Sequence, residues 1–323
     1  MPTPASKKLP ETFEVELATL VDAAPDSASW IHEIKLDGYR LVARVERGRH
    51  ADVKLFTRNG IDWSERVPTL RAALAELPVK SAALDGELCS MKPDGVSSFQ
   101  DLQNALSAGR EGALIYFAFD LLWLDGEDLR PLPLLERKAR LAEVLKGQKR
   151  NVRYSDHVVG DGPAFFARAG ELKLEGIISK RAESVYKAGR TKDWLKVKCI
   201  ARQEFVIGGY TPPGGSRTHL GALLVGVREG KGLRYAGKVG TGFSQASLRE
   251  LHAALKPLER DTPPFENPPK GAPVRGAKWV EPTLVAEVAF TEFTSDGLLR
   301  HPSFQGLRED KPAKAVIRER PKK

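Results

Sequence analysis

Residues 33–40 of the chain read EIKLDGYR, and Lys35 is the most informative residue of this stretch. It ends an apolar, strand-like run and stands just before an Asp-Gly pair, which is typical of a turn. A lysine at the edge of a buried strand is a candidate amine nucleophile, since a partly desolvated, cation-rich site favours the neutral amine. A surface hairpin with an Asp-Gly turn fits the same letters, so the remaining sequence decides between the two.

The composition of the 323 residues restricts the kind of protein that carries this lysine. A formal net charge of +9 favours an acidic polymer or a phosphate-rich ligand, although a basic, solvated surface has the same charge. Two cysteines, Cys89 and Cys199, exclude a disulfide scaffold and a four-cysteine zinc site. No apolar run approaches the ~20 residues that span a bilayer, and no signal peptide is visible. We therefore expect a cytoplasmic protein that does not bind to or span a membrane.

Strand and helix patterns indicate that residues 1–201 form an α+β domain. Strand-like runs such as Ile31–Leu36 recur along it, while residues 1–30 look irregular. Ser64–Leu77 is predicted to be a helix with its first residue as the N-cap. Leu134–Leu145 also has helical spacing. Its charged face is formed by Glu136, Arg137, Lys138 and Arg140.

The pattern of predicted secondary structure changes in residues 202–323, where short strands are separated by glycine turns. Phe205–Tyr210 and Leu233–Val239 are examples, and one helix, Ser247–Leu255, interrupts the strands. Several short strands with one helix predict a small β-barrel such as the OB-fold. The basic tail that follows Lys311 is expected to be a solvated terminus or a phosphate contact.

The chain also carries the side chains that an amine would need to attack a nucleotide α-phosphate. Glu87 ends one apolar strand and Glu175 opens another, and such carboxylates hold a divalent metal. Lys196 and Lys198 share one face of a strand, where an anion between them would relieve their repulsion. Phe119 offers an aromatic face for a base. Each of these residues alone also fits an ordinary surface or core position.

Together these segments resemble, in the same order, the nucleotide-site motifs of the covalent nucleotidyltransferase superfamily. That superfamily contains ATP-dependent DNA ligases, RNA ligases and mRNA capping enzymes. The matching segments are KLDGYR (35–40), TRNG (57–60), LDGE (84–87), YFAFD (116–120), EGIISK (175–180), WLKVK (194–198) and REDK (308–311). Two more are similar to the ligase module of bacterial LigD-type end-joining ligases, namely FDLLWLDG (119–126) and LLRHPSF (298–304).

The resemblance implies an adenylation domain of antiparallel sheets with flanking helices at residues 1–201. An OB-fold with a basic tail would follow at residues 202–323. It also implies that Lys35 attacks the α-phosphorus of ATP and carries AMP as a phosphoramidate. AMP would then pass to the 5′-phosphate of a DNA nick, and the 3′-hydroxyl would displace it and seal the strand.

The resemblance further implies a role for each matching residue. The catalytic residues would be Lys35, Asp37, Lys196 and Lys198. The nucleotide site would include Glu33 for the adenine amine, Phe119 for stacking, Arg40 and Glu87 for the ribose, Arg58 for the nick 5′-phosphate, and Lys180 near the phosphates. From the second domain it would include Arg308, Asp310 and Lys311. A divalent metal, Mg²⁺ or Mn²⁺, would be bound by Glu175 and Glu87.

The implied substrate is nicked or broken duplex DNA, in double-strand break repair by end joining. Implied partners are the bacterial Ku protein and a repair polymerase, and we expect a monomer associated with the nucleoid. An RNA ligase and a GTP-using capping-type nucleotidyltransferase are alternatives, as is a basic OB-type nucleic-acid-binding protein with an inactive pocket. The sequence leaves open whether the chain is a free-standing ligase or one module of a longer protein.

Overall fold

The computed structural model describes residues 8–148, 151–214, 218–271 and 274–321. The chain divides into two compact units, with the division after Cys199 and the second unit covering Ile200–Arg320. Across the described residues, none of the helices combines the length and the apolar character needed to cross a bilayer.

In the residues that the structure describes, the first unit is built from two β-sheets and four α-helices. Its strands are β1 (Glu16–Leu20), β2 (Trp30–Ile34), β3 (Tyr39–Arg47), β4 (Ala51–Thr57), β5 (Ser81–Cys89), β6 (Ile115–Leu124), β7 (Glu127–Asp128), β8 (Val152–Tyr154), β9 (Val158–Val159), β10 (Gly176–Arg181) and β11 (Gly189–Lys198). Its helices are α1 (Pro68–Ala75), α2 (Phe99–Ser107), α3 (Leu134–Val144) and α4 (Gly162–Glu171).

The two sheets of this unit are mainly antiparallel. One has the strand order β4-β3-β5-β6-β7, with β8 parallel to β6. The other has the order β1-β11-β10-β2-β9, in which β1 runs parallel to β11 and the remaining pairs are antiparallel. The largest apolar cluster lies on the first sheet and includes residues of β3, β5, β6, α1 and α2. The second sheet holds β2, β10 and β11 side by side, and these strands carry most of the residues that the motifs single out.

The described part of the second unit consists of short strands and one α-helix. Its strands are β12 (Arg202–Tyr210), β13 (Leu223–Glu229), β14 (Gly232–Val239), β15 (Glu259–Arg260), β16 (Lys278–Val280), β17 (Val285–Ala289), β18 (Glu292–Phe293), β19 (Leu299–Arg300) and β20 (Ser303–Leu307). Its helix is α5 (Gln245–Leu255), which begins with a capping box on Ser244 and Ser247. The main sheet has the order β14-β13-β12-β16-β15, and β17 pairs with both β12 and β20.

Three predictions about local structure are wrong. Residues 1–30 include the regular strand β1, whose hydrogen-bonding partner β11 lies far along the chain. The helix expected at Ser64–Leu77 begins only at Pro68, after a short 3₁₀ turn, because Ser64 accepts a hydrogen bond from the backbone of Leu55 at 3.0 Å instead of capping a helix. The charged face expected on α3 is also wrong, since Arg137 and Lys138 are 0% and 1% exposed.

Candidate active site

Lys35 lies immediately after β2, beside the start of β10. Its backbone N–H donates to the carbonyl of Gly176 at 2.9 Å, and its Nζ lies 2.5 Å from Oε1 of Glu175. Burial lowers the pKa of Lys35, but the carboxylates of Glu175, Asp37 and Glu87 outweigh burial and raise it. The expectation of a cation-rich setting that favours the neutral amine is therefore wrong, because the charged groups that dominate around Lys35 are carboxylates.

Asp37 is joined to the beginning of α2. Its carboxylate accepts a hydrogen bond from the backbone N–H of Phe99 at 3.1 Å, and its own N–H donates to Ser97 Oγ at 3.0 Å. The next residue, Gly38, has no space for a side chain, since a Cβ there would lie 2.1 Å from the carbonyl oxygen of Leu88. At the Asp-Gly pair, the chain that enters β3 therefore packs closely against the backbone of β5. This contact restricts the position of Asp37, which is two residues after Lys35 in the sequence.

Glu33 is the centre of a buried cluster of charges. Its Oε1 accepts from Lys138 Nζ at 2.6 Å and its Oε2 from Lys180 Nζ at 2.8 Å. Burial raises the pKa of Glu33, but the two ammonium groups outweigh burial and lower it. Burial lowers the pKa of Lys180, and Glu33 offsets this only in part because Lys138 repels the charge of Lys180. Glu33 is therefore an ionised acceptor with a cation on each oxygen.

Lys138 is a residue of this cluster that the sequence analysis missed. A signal was present, since Lys138 stands four residues after Leu134 and three before Leu141 in α3. All three are buried, and this spacing puts them on one face of the helix. Its charge suggested solvent, but its position in the helical repeat indicated the interior.

Phe119 and Arg40 form an aromatic and cationic layer next to Glu33. The half-buried Phe119 ring lies 6.0 Å from the ring of Trp194, with Lys180 Nζ 4.3 Å and Arg40 Cζ 5.2 Å from its centroid. The Arg40 guanidinium donates twice to Asp85, at 2.9 and 2.5 Å. Burial lowers the pKa of Arg40, but interactions led by this carboxylate outweigh burial and raise it. Asp85 thus orients the guanidinium of Arg40, the group that is predicted to contact the ribose.

Asp85 is a second residue that sequence analysis did not assign, together with Tyr186. The hydroxyl of Tyr186 donates to Asp85 Oδ2 at 2.7 Å and accepts from the backbone N–H of Glu16 at 3.0 Å. Asp85 lies within the LDGE segment, so its motif pointed to the site, whereas nothing in the sequence around Tyr186 did.

The two lysines of the WLKVK segment lie on alternate positions of β11, with Val197 between them. Lys196 is opposite Ile178 in β10, which is in turn opposite Glu33 in β2, so Lys196 and Glu33 are on the same face of the sheet. Lys198 is opposite Gly176 at the end of β10 that carries Glu175. Lys198 therefore lies at the end of β11 that is opposite Gly176, whose carbonyl accepts the backbone N–H of Lys35.

Glu87 lies in the first sheet, and Arg58 lies just beyond one of its strands. Glu87 lies in β5, opposite Arg40 in β3, and its charge contributes to the raised pKa of Lys35. Arg58 follows β4 directly and is half-buried. Among the residues that the structure describes, no three His, Cys, Asp or Glu side chains are grouped so that they could hold a metal ion by themselves.

The REDK segment lies in the second unit and forms ion pairs there. Arg308 binds Asp310 through two N–H groups, each at 2.8 Å, and its Nη1 lies 3.6 Å from Glu287. Lys311 Nζ donates to Glu204 at 3.0 Å. Burial lowers the pKa of Arg308, but Asp310 and Glu287 outweigh burial and raise it well above its ordinary value.

The structure thus brings most of the predicted residues together around β2, β10 and β11. A half-buried amine with carboxylates, an ionised acceptor and two same-strand lysines lie on or next to these strands. The aromatic ring of Phe119 reaches them from β6, with its centroid 4.3 Å from Lys180 Nζ. This set is suited to bind a nucleotide and transfer it to the amine. The residues of the first unit that it includes are Glu33, Lys35, Asp37, Arg40, Glu87, Phe119, Glu175, Lys180, Lys196 and Lys198.

Comparisons with known proteins agree with this description. The family model described as ATP dependent DNA ligase domain matches residues 11–198, and the model described as ATP dependent DNA ligase C terminal region matches residues 216–311. A solved structure of mycobacterial DNA ligase D, complexed with ATP and MES, has 37% sequence identity and a TM-score of 0.72, and the match covers 95% of this chain and 98% of that one. The predicted fold class is confirmed by these matches.

Curated relatives are multifunctional non-homologous end joining proteins named LigD. The protein of Pseudomonas aeruginosa is 46% identical over 317 residues, which are 97% of this chain and 37% of the relative. The protein of Mycolicibacterium smegmatis is 37% identical over 311 residues, which are 95% of this chain and 40% of the relative. The chain therefore spans about two fifths of the length of these relatives.

Proposed function

The chain belongs to the ATP-dependent DNA ligase family, and from this premise we propose that it joins 5′-phosphate and 3′-hydroxyl ends of DNA through AMP bound to Lys35. One observation carries the assignment of the nucleophile. The Lys35 amine is held against Glu175 at 2.5 Å, at the point where β2 and β10 of the matched ligase domain meet. A surface hairpin would leave this side chain in solvent, whereas Lys35 is 20% exposed and its partner Glu175 is 9% exposed.

The first step forms a bond between Lys35 Nζ and the α-phosphorus of ATP and breaks the bond to pyrophosphate. Lys35 must lose a proton before it attacks, because its raised pKa keeps the amine protonated at neutral pH. Glu175 holds the ammonium in place until then. Lys196 and Lys198 would bind the α-phosphate oxygens, where negative charge is redistributed in the transition state.

A divalent cation fits the carboxylates that we assign to it. Glu175 and Glu87 supply hard oxygen ligands, and Mg²⁺ in phosphoryl-transfer sites is commonly bound by one or two carboxylates together with phosphate oxygens. The cation, Mg²⁺ or Mn²⁺, would neutralise phosphate charge.

The later steps transfer AMP to DNA and seal the strand. We propose that Arg58 binds the 5′-phosphate of the nick, which receives AMP, and that Asp37 acts in the sealing step, where the 3′-hydroxyl displaces AMP. The nucleotide is recognised by Glu33 at the adenine amine, by Phe119 at the base, by Arg40 and Glu87 at the ribose, and by Lys180 near the phosphates. We also assign nucleotide binding to three residues of the second unit, Arg308, Asp310 and Lys311.

We place this activity in the repair of broken duplex DNA by end joining. The support is the similarity to LigD proteins, whose names state that role. Ku and a repair polymerase are the proposed partners, the proposed state is a monomer, and the proposed location is the nucleoid region of the cytoplasm.

Labelling with radioactive nucleotide tests the proposal directly. We expect the wild-type protein to retain label from [α-³²P]ATP after denaturing electrophoresis, and Lys35→Ala to retain none, because the bond to AMP forms at the Lys35 amine. Chelation of the metal should abolish labelling, and Mg²⁺ or Mn²⁺ should restore it.

Two further outcomes separate this function from its alternatives. Label from GTP but not ATP would indicate a capping-type enzyme. Sealing of nicked RNA but not nicked DNA would indicate an RNA ligase. A labelled Lys35→Ala protein would show that another residue is the nucleophile.

A further inference from the structure

Lys138 reaches the proposed nucleotide site from α3, an element outside all of the matching motif segments. Its side chain is 1% exposed, so its ammonium group has no access to solvent for hydrogen bonding. It lies within hydrogen-bond distance of Glu33 Oε1 at 2.6 Å, the carbonyl of Ser155 at 2.9 Å and the carbonyl of Phe119 at 3.4 Å. An ammonium group has three donors, and here each has an acceptor in the protein.

Two of these three acceptors belong to residues that the proposed function assigns to the adenine base. Glu33 would accept from the exocyclic amine at the edge of the base, and Phe119 would stack on its flat face. A purine makes both contacts at once only if the carboxylate and the ring are held at a fixed separation and angle. Lys138 is bonded to the carboxylate of Glu33 and to the backbone that carries the Phe119 ring.

Glu33 also has the acceptor capacity that this role needs. A carboxylate has about four lone-pair positions, and the two lysines account for one hydrogen bond on each oxygen. Adenine presents a donor at its 6-position and guanine presents an acceptor, so an ionised carboxylate at this point attracts the first and repels the second. Discrimination thus depends on where the remaining lone pairs of Glu33 point.

Resting on the proposed function, we propose that Lys138 is a positioning residue for nucleotide selection, which holds Glu33 and Phe119 in the arrangement that accepts ATP and rejects GTP. Lys180 does not duplicate this role, because it binds the other oxygen of Glu33 from β10 and contacts Phe119 at its ring, 4.3 Å from the centroid. The raised pKa of Lys138, where Glu33 outweighs burial, agrees with a permanent cation at this point.

The substitution Lys138→Met tests the proposal with little risk to the fold. Glu33 is bonded to two lysines, so removing one leaves a balanced pair with Lys180 instead of an uncompensated buried charge. Methionine also fills similar space. Lys138→Gln is the second variant, and it keeps a hydrogen-bond donor without the charge. Arg140→Met is the matched control, because it lies on the same helix and pairs only with Glu127 and Glu136 in the described contacts.

The experiment measures the rate of covalent labelling against the concentration of ATP and, separately, of GTP. The ratio of the two kcat/KM values cancels any loss of active protein. We expect Lys138→Met to lower the ratio of kcat/KM for ATP to kcat/KM for GTP by about tenfold or more, because the carboxylate that recognises the adenine amine is misplaced. The change should come mainly from a higher KM for ATP. Arg140→Met should keep the wild-type ratio.

A double variant shows whether Lys138 acts through Glu33. If it does, Glu33→Gln and Lys138→Met together should lower the ratio no further than Glu33→Gln alone. Lys138→Met protein that labels slowly but keeps the wild-type ratio would overturn the inference, as would multiplied effects in the double variant. Wild-type protein that labels with neither nucleotide would instead overturn the proposed function itself.

Discussion

At the scale of single residues, Glu33 shows how burial and charge oppose each other. Its folded-state pKa is lowered from 4.5, since burial raises it but Lys138 and Lys180 outweigh burial. A lowered carboxylate pKa contributes stability that is present above about pH 4.5 and is lost as pH falls through the folded-state value. Glu33→Gln should therefore lower the free energy of unfolding at pH 7 by about 3–5 kcal/mol, because two buried ammonium groups lose their counter-charge.

Urea unfolding followed by tryptophan fluorescence measures this loss, since Trp30, Trp63, Trp123 and Trp194 lie in the first unit. The difference between wild type and Glu33→Gln should shrink below pH 4.5, where protonated Glu33 becomes similar to glutamine. A difference that stays constant from pH 7 to pH 3 would contradict the ionised cluster.

Gly38 is a second residue whose role follows from geometry alone. A Cβ at this position would lie 2.1 Å from the carbonyl oxygen of Leu88 and 2.9 Å from Cys89 Sγ, so backbone has to move. We expect Gly38→Ala to destabilise the protein by about 1–3 kcal/mol or more and to slow strand sealing, because Asp37 moves with it. Gly48→Ala is the control, since the nearest atom to its Cβ would be 3.9 Å away. Thermal unfolding and nick sealing measure the two effects, and equal stability of both variants would refute the close contact.

At the scale of elements, α3 carries both buried and exposed ion pairs. Arg137 and Asp120 are both 0% exposed and are joined by two hydrogen bonds of 2.8 Å, whereas Arg140 binds the exposed Glu127 and Glu136. Arg137→Met should destabilise the first unit by about 3–5 kcal/mol, and Arg140→Met by about 0–1 kcal/mol. Urea unfolding of the two variants measures the difference. Equal losses of stability in the two variants would mean that Arg137 lies in solvent. That is the position implied by the charged face that the sequence analysis predicted.

The elements that sequence analysis found are those with a strong local pattern. Strands β2, β5 and β10 were visible because apolar residues were bounded by turn residues, and α3 and α5 because their spacing was helical. β1 was missed because its hydrogen bonds go to β11, which no local pattern can indicate. The burial of Lys138 was missed for a related reason, since the carboxylate that makes it possible comes from β2.

At the scale of the whole molecule, the motif segments identified the functional residues of the site better than they identified the residues that hold those side chains in place. Glu33, Lys35, Glu175 and Lys196 lie on or next to the neighbouring strands β2, β10 and β11, and Phe119 lies in β6 of the other sheet of the same unit. Their roles remain our proposal. The supporting residues, Asp85 excepted, lie outside the motifs, because a hydrogen bond to a functional side chain can come from any element that packs nearby. The sequence therefore indicates the chemistry of the site, whereas the structure shows what holds its side chains in place.

The net charge of the chain leads to a prediction about DNA binding as a whole. With a formal charge of +9, affinity for nicked duplex DNA should come mainly from phosphate contacts, which release counterions and do not read sequence. Between about 50 and 200 mM salt, affinity should fall on the order of tenfold if two phosphates are neutralised and on the order of a thousandfold if six are.

Fluorescence anisotropy with two nicked duplexes of unrelated sequence measures this dependence, and its slope counts the phosphates. Chelator should be present, so that binding is followed without nucleotide transfer. The two duplexes should give the same slope and the same affinity within about twofold, because contacts to phosphate oxygens are alike in both. Binding that is insensitive to salt, or that prefers one sequence, would show that groups other than the basic surface hold the DNA.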